Sequence, residues 1–162
     1  MKNQRGKKLI AAHVAKLEAY TPGEQPKARN VVKLNTNENP YPPSPACAKA
    51  LKTLSLDSLR RYPDSVFSAL RGELAKISGA KPECIFVGNG SDEVLSVAAK
   101  TFVEDDETIG SLDPSYSLYK TLAAIRNVKW VGLNGKKGLV ASALPPSVSL
   151  FLLTNPNAPT GE

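Results

Sequence analysis

Gly88-Asn89-Gly90-Ser91-Asp92-Glu93 directly follows the short apolar run Ile85-Phe86-Val87. The order predicts a strand over 85–87, a glycine turn, and a helix from about Ser91 to Phe102. That helix opens with a hydroxyl and two acids. A helix start beyond a strand end presents unpaired N–H groups, a seat for an anion such as a cofactor phosphate. Ser91 would add its hydroxyl and its own N–H. The carboxylates of Asp92 and Glu93 would repel a phosphate, so their side chains are expected to turn away. A second reading stands beside this one: a capped helix whose acids complement the dipole.

Three further groups carry possible chemistry, each with a plain structural alternative. Tyr116 follows a predicted strand at 108–112, where its ring could stack on a planar heterocycle or pack on the next helix. Asn157 follows a strand predicted over 147–153; its amide could reach a ring oxygen or shape the turn. The loop Asn35-Thr36-Asn37-Glu38-Asn39-Pro40 is dense in amides, suited to substrate contact or to bonding itself. His13, the single histidine, is expected on a helix face or the surface. No histidine cluster or carboxylate pair suggests a metal or hydrolytic site. Gly88-x-Gly90 lacks the dinucleotide spacing.

The elements that must position these groups alternate strand and helix. Leu9 to Leu17 has weak helical spacing. Ser44 and Pro45 should start a helix with the apolar stripe Ala46, Ala50, Leu51 and Leu54. Asp64 should cap a longer helix through Phe67, Leu70, Leu74 and Ile77, closed by Gly79. Asp113-Pro114-Ser115 is expected to open a helix containing Tyr116, Tyr119, Leu122 and Ile125. Strands are predicted at 108–112 and 129–133, and Asn134–Gly138 reads as a turn or hairpin. Val148–Leu153 is so apolar that it reads as a central strand buried on both faces. The pattern implies an α/β layered fold with a mostly parallel sheet.

With 162 residues the chain is long enough for a real core. Its formal charge of +6 is concentrated partly in Lys2, Arg5, Lys7 and Lys8, read as a solvated terminus. Cys47 and Cys84 match no metal or redox spacing and are expected to be reduced, partly buried thiols. Neither a signal-peptide core nor a membrane-length apolar run is present in the sequence. A cytoplasmic location is the expectation.

Five segments in order resemble the fold type I pyridoxal-phosphate aminotransferases, and within them the histidinol-phosphate aminotransferase subfamily. They are Leu34–Pro42, Arg61-Tyr62-Pro63-Asp64, Gly88–Glu93, Asp113–Tyr119 and Asn155–Gly161. The resemblance covers nearly the whole chain. It implies a three-layer α/β sandwich with a mostly parallel central sheet. Residues 1–50 would be an N-terminal arm and small-domain segment, and 51–162 the first part of the cofactor-binding large domain.

It also implies roles. Gly90, Ser91 and the amides of Asp92 and Glu93 would hold the phosphate of pyridoxal 5′-phosphate, and Tyr116 would stack on its ring. Tyr62 would reach the phosphate in the partner site of a homodimer. Tyr20, with Asn37, Glu38 and Asn39, would belong to a substrate-binding arm. The superfamily usually has an asparagine directly before Pro-Thr-Gly. Here Ala158 stands there: either Asn157, one residue earlier, takes its place, or the bond to the ring hydroxyl is absent.

The family's cofactor-holding lysine matches no position of this sequence, and Lys100 and Lys120 are expected on helix surfaces. The sequence therefore reads as the amino-terminal portion of a larger enzyme, inactive alone. That enzyme would transfer an amino group between histidinol phosphate and 2-oxoglutarate, in histidine biosynthesis. Threonine-phosphate decarboxylase, an aromatic or general aminotransferase, and a non-catalytic binding or scaffold half-domain are the other readings.

Overall fold

The computed structural model describes residues 9–18, 27, 30–135 and 144–162. They fall into two compact units: residues up to Glu18 with Phe86–Glu162, and Ala19–Ile85.

The first unit holds a parallel sheet of β1 (Thr108–Leu112), β2 (Lys129–Leu133) and β3 (Val148–Leu152), in the order β2-β1-β3. Thr108 pairs with Lys129 and Leu112 with Leu133; on the other side Ile109 pairs with Leu150 and Ser111 with Leu152. The central strand is thus β1, and all five of its residues are buried. This corrects the expectation for Val148–Leu153, whose apolar run forms a flanking strand. β1 is less conspicuous because Gly110 and Ser111 replace large residues. Gly110 is small for a reason: a Cβ there would lie 2.7 Å from the Phe151 ring and 3.1 Å from Val148 Cγ1.

The expected helix at Ser91–Phe102 is present (here α3), and Leu118–Arg126 is the helix between β1 and β2 (α4, numbered after the two helices of the other unit). Ile109, Leu122, Ala123, Ala99, Val103, Tyr119 and Leu152 form the core. Deleting a buried aliphatic such as Ile109 would cost ~2–5 kcal/mol.

Three local expectations are revised. Residues 85–87 form no strand; Ile85 has extended dihedrals, but neither outer edge of the sheet pairs with it. A strand exists only through its ladder, and an apolar run without a partner is extended loop. The helix expected at Asp113-Pro114-Ser115 begins only at Leu118. Its would-be first turn is bonded instead to the 155–161 turn, as described below. Of Leu9–Leu17, only Val14–Lys16 forms a single 3₁₀ turn, with His13 Nε2 donating to the Ile125 carbonyl at 3.1 Å. Asn134 and Gly135 are described, but 136–138 lie outside the described residues.

The second unit carries α1 (Pro45–Lys52) and α2 (Ser68–Ser78). Ser44 is the N-cap of α1, yet its side chain makes no capping bond. Ala46, Ala50, Leu51 and Leu54 are all exposed, so the predicted stripe covers no core among the described residues. Cys47 and Cys84 are likewise exposed, not partly buried. Gly79 closes α2 with φ +70° and its N–H on the Ala75 carbonyl.

Asp64 acts at the start of α2 as expected, but from four residues upstream. Its carboxylate accepts the N–H groups of Ser68 at 2.7 Å and Val66 at 3.1 Å. Phe67 turns through the left-handed region between them. The bonds from Ser68, then from the Val66 amide, hold the Asp64 carboxyl below its ordinary value. A lowered acid pKa stabilises the fold above the unfolded value, and that contribution is lost as pH falls through the folded one. Acid titration followed by far-ultraviolet circular dichroism should therefore show a smaller acid-induced loss of helix in Asp64→Asn than in wild type. Equal losses would mean that Asp64 contributes nothing to this helix start.

Candidate active site

The turn before α3 is built by glycine. Gly90 has φ +82° and ψ 172°, a region that side chains with a Cβ rarely occupy. Its N–H bonds to the Gly88 carbonyl at 2.9 Å. The chain then enters α3, where the N–H groups of Ser91, Asp92 and Glu93 have no carbonyl one turn back. Ser91, Asp92 and Glu93 are exposed. Glu93 folds back, and its carboxylate accepts the N–H of Asn89. A Cβ on Gly88 would sit 3.1 Å from that carboxylate and 2.9 Å from Val94 Cγ2. Glu93 thus bonds the turn that precedes the N-cap Gly90, and its carboxylate takes no N–H of the first turn of α3.

Asp92 also turns aside. Its Oδ1 accepts the Tyr116 hydroxyl at 3.4 Å, a long bond that fixes proximity more than energy. Tyr116 is therefore brought beside the α3 N-terminus, from 24 residues away. Tyr116 is 40% exposed, and its ring meets Tyr119 edge-on, at 5.7 Å between centroids and 86° between planes. Tyr119 is core, and its hydroxyl bonds Thr154 Oγ1 at 2.6 Å, tying α4 to the end of β3.

Asn157 lies in the same unit, 2% exposed, at the turn after β3. Its Nδ2 donates to the Pro114 carbonyl at 3.0 Å and to Thr160 Oγ1 at 2.9 Å. Its Oδ1 accepts the Ser115 hydroxyl at 2.7 Å. Both amide hydrogens are used, so the side chain clamps the turn after β1 to the turn after β3. Beside it lies a cavity of about 220 Å³ at the carboxyl ends of β1 and β2, lined by Leu112, Asp113, Asn134, Gly135 and Glu162.

The structure thus gathers Gly90, Ser91, Asp92, Glu93, Tyr116 and Asn157 at one edge of the first unit. Sequence reading missed Ser115, Thr160 and the Pro114 carbonyl as partners of Asn157. Thr160 is only three residues on, but nothing in local spacing signals the bonds to Ser115 and Pro114, 42 and 43 residues away. Lys100 and Lys120 are exposed, as expected for surface lysines.

The second unit holds the remaining expected residues. Tyr62 is fully exposed. In the amide-rich loop, Asn37 has φ +51° and Thr36 φ +64°. Glu38 pairs with Lys33 and accepts the Thr36 hydroxyl at 3.2 Å. The hydrogen bond and charge of Lys33, then Thr36, hold the Glu38 carboxyl below its ordinary value. Asn39 Oδ1 accepts the Tyr41 N–H at 3.0 Å. Much of this loop is bonded to itself. Tyr20 lies outside the described residues.

The site fits a flat anionic cofactor. First-turn amides with no carbonyl one turn back and the exposed Ser91 hydroxyl stand at a helix start, the Tyr116 hydroxyl reaches Asp92 beside them, and a Cβ built on Gly90 would meet nothing within 4 Å. Comparison with known proteins identifies the family. A histidinol-phosphate aminotransferase 2 of Burkholderia mallei is 44% identical over 154 residues, covering 92% of this chain and 43% of the relative. Histidinol-phosphate aminotransferases of Clostridium botulinum strain Okra and Acinetobacter baylyi are 43% and 45% identical, over 90% and 91% of this chain and 42% of each relative. The chain spans about two fifths of the length of these relatives. The profile of aminotransferase class I and II matches residues 29–162. The chain belongs to the aminotransferase class I and II family.

Proposed function

We propose that the protein bearing this chain is a pyridoxal-phosphate-dependent transferase that moves an amino group between histidinol phosphate and 2-oxoglutarate. The observation that carries this is the α3 amino terminus with Tyr116 beside it, in a chain similar over nine tenths of its length to enzymes of that name. Pyridoxal phosphate, when bound, supplies an electron sink for the carbon that exchanges its amino group. The chain's residues bind and orient. Ser91 and the first-turn amides, opened by Gly90, hold the phosphate; Glu93 and Asp92 keep their carboxylates off it. Tyr116 lies against the ring, and Asn157 secures the turn that carries Tyr116. Tyr20, Asn37, Glu38 and Asn39 belong to the arm over the substrate.

We assign residues 1–50 to an arm and small-domain segment and 51–162 to the first part of the cofactor domain. The whole protein acts as a cytoplasmic homodimer. Among the described residues, no helix is long and apolar enough to cross a membrane. Tyr62, fully exposed in one chain, reaches the phosphate bound by the other. Tyr62→Phe should lower cofactor affinity about tenfold, the size of one hydrogen bond to a charged group, without changing the unfolding midpoint of the apoprotein. Unchanged affinity in the dimer would remove Tyr62 from the site.

The deciding experiment assays the whole protein with 2-oxoglutarate and either histidinol phosphate or phenylalanine, and separately tests decarboxylation of threonine phosphate. Glutamate formation fastest with histidinol phosphate is expected, and the 162-residue chain by itself should give none. Preference for phenylalanine, or carbon dioxide from threonine phosphate, would replace the proposed substrate.

A further inference from the structure

Trp130 is the single tryptophan of the chain. It lies on β2 two residues before Gly132, so both share one face of the sheet. A Cβ on Gly132 would lie 2.4 Å from Trp130 Cη2 and 2.6 Å from Asp113 Cβ. The indole and the Asp113 side chain therefore meet over a bare α-carbon. The indole N–H donates to Ser111 Oγ of β1 at 3.0 Å. Lys120 Nζ sits 4.1 Å from the centroid of the Trp130 ring and 3.4 Å from Asp113 Oδ1.

The position of Lys120 needs an explanation. It is the third residue of α4, at the positive end of the helix, where a cation is disfavoured. An exposed ion pair with Asp113 compensates weakly by itself. The π face of Trp130 adds a second attraction and restricts where the ammonium can sit. Asp113 is also held by its N–H to the Leu133 carbonyl at 2.8 Å. These contacts pin the start of the 113–117 turn to both β strands and to the first turn of α4. Asn157 holds the same turn from its other side. Tyr116 is the residue the turn presents.

We propose that Trp130 and Lys120 are positioning residues for the Tyr116 ring, acting through Asp113. The inference rests on the reading of Tyr116 as the ring that stacks on the cofactor. The test uses the whole protein labelled with 3-fluorotyrosine, its Tyr116 fluorine line assigned with Tyr116→Phe. Without cofactor, Lys120→Met and Trp130→Leu should shift or broaden that line, and Lys100→Met on α3 should not. With cofactor, both variants should lose about tenfold in kcat with the substrate KM within about twofold, the pattern of a misplaced group. Trp130→Phe, which keeps a π face, should recover most of that loss.

An unmoved Tyr116 line in Lys120→Met overturns the proposal. That exposed substitution decides the matter even if Trp130→Leu fails to fold. If wild type binds no pyridoxal phosphate, the proposed function fails, while the fluorine line still tests the clamp.

Discussion

Ser91→Asp should weaken pyridoxal-phosphate binding by the whole protein about 100-fold, roughly 3 kcal/mol, while leaving the apoprotein as stable as wild type. The two halves of this expectation have opposite electrostatics. At the start of α3 a carboxylate complements the helix dipole, as Asp92 and Glu93 already do, so the helix itself is not weakened. A bound phosphate in the same place would face that carboxylate at close range and would lose the serine hydroxyl. Ser91→Ala removes only the hydroxyl and should cost about tenfold. Absorbance titration with the cofactor, beside urea unfolding without it, reads both quantities. If Ser91→Asp bound the cofactor like wild type, the first-turn amides of α3 would not be its phosphate seat. If it unfolded more easily, Ser91 would have a structural role that its exposure does not suggest.

What could be read from the sequence follows the range over which each feature is determined. The α3 start is local: Gly90 must take a conformation open to glycine, and Glu93 can reach back to the Asn89 N–H in the turn before it. Its helix, and the strands at 108–112 and 129–133, were legible from such short patterns. Strand order is not local. Val148–Leu152 looks more buried than Thr108–Leu112, yet β1 is central because its small residues admit the Phe151 ring. The run at 85–87 has strand composition and no ladder. The helix expected at Pro114 was overruled by Asn157, 43 residues away. Its amide takes the Pro114 carbonyl and its oxygen the Ser115 hydroxyl, so the backbone there answers to the other turn. Near the proposed site, the place of Ser91 at a helix start could be read from spacing. That Tyr116 meets Asp92, and that Lys120 rests on Trp130, required the fold.

Asn157→Ala should destabilise the apoprotein by about 2 kcal/mol, because three partners (the Pro114 carbonyl, Thr160 Oγ1 and the Ser115 hydroxyl) lose their bonds at a site almost closed to water. The Pro114 carbonyl loses a donor and the Ser115 hydroxyl an acceptor. Neither Ala nor a rearranged Thr160 supplies both. Asn157→Asp should be worse at neutral pH. It keeps the volume but brings a charge into a buried place and sets an oxygen against the Pro114 carbonyl. Burial favours the neutral acid in the fold, so its folded pKa rises above the unfolded one. The penalty is then full above the folded value and shrinks as pH falls toward the unfolded value, where the protonated acid can donate again. Asn157→Asp should therefore approach wild type on mild acidification, whereas Asn157→Ala should not. The same pair of variants separates two roles for this residue. A clamp predicts a stability loss already present without cofactor, together with a weaker cofactor affinity as the Tyr116 turn loosens. A direct ligand of the cofactor ring predicts the opposite division, with apoprotein stability unchanged and affinity alone reduced. Both amide hydrogens of Asn157 are engaged within the protein, at 3.0 and 2.9 Å, which favours the clamp.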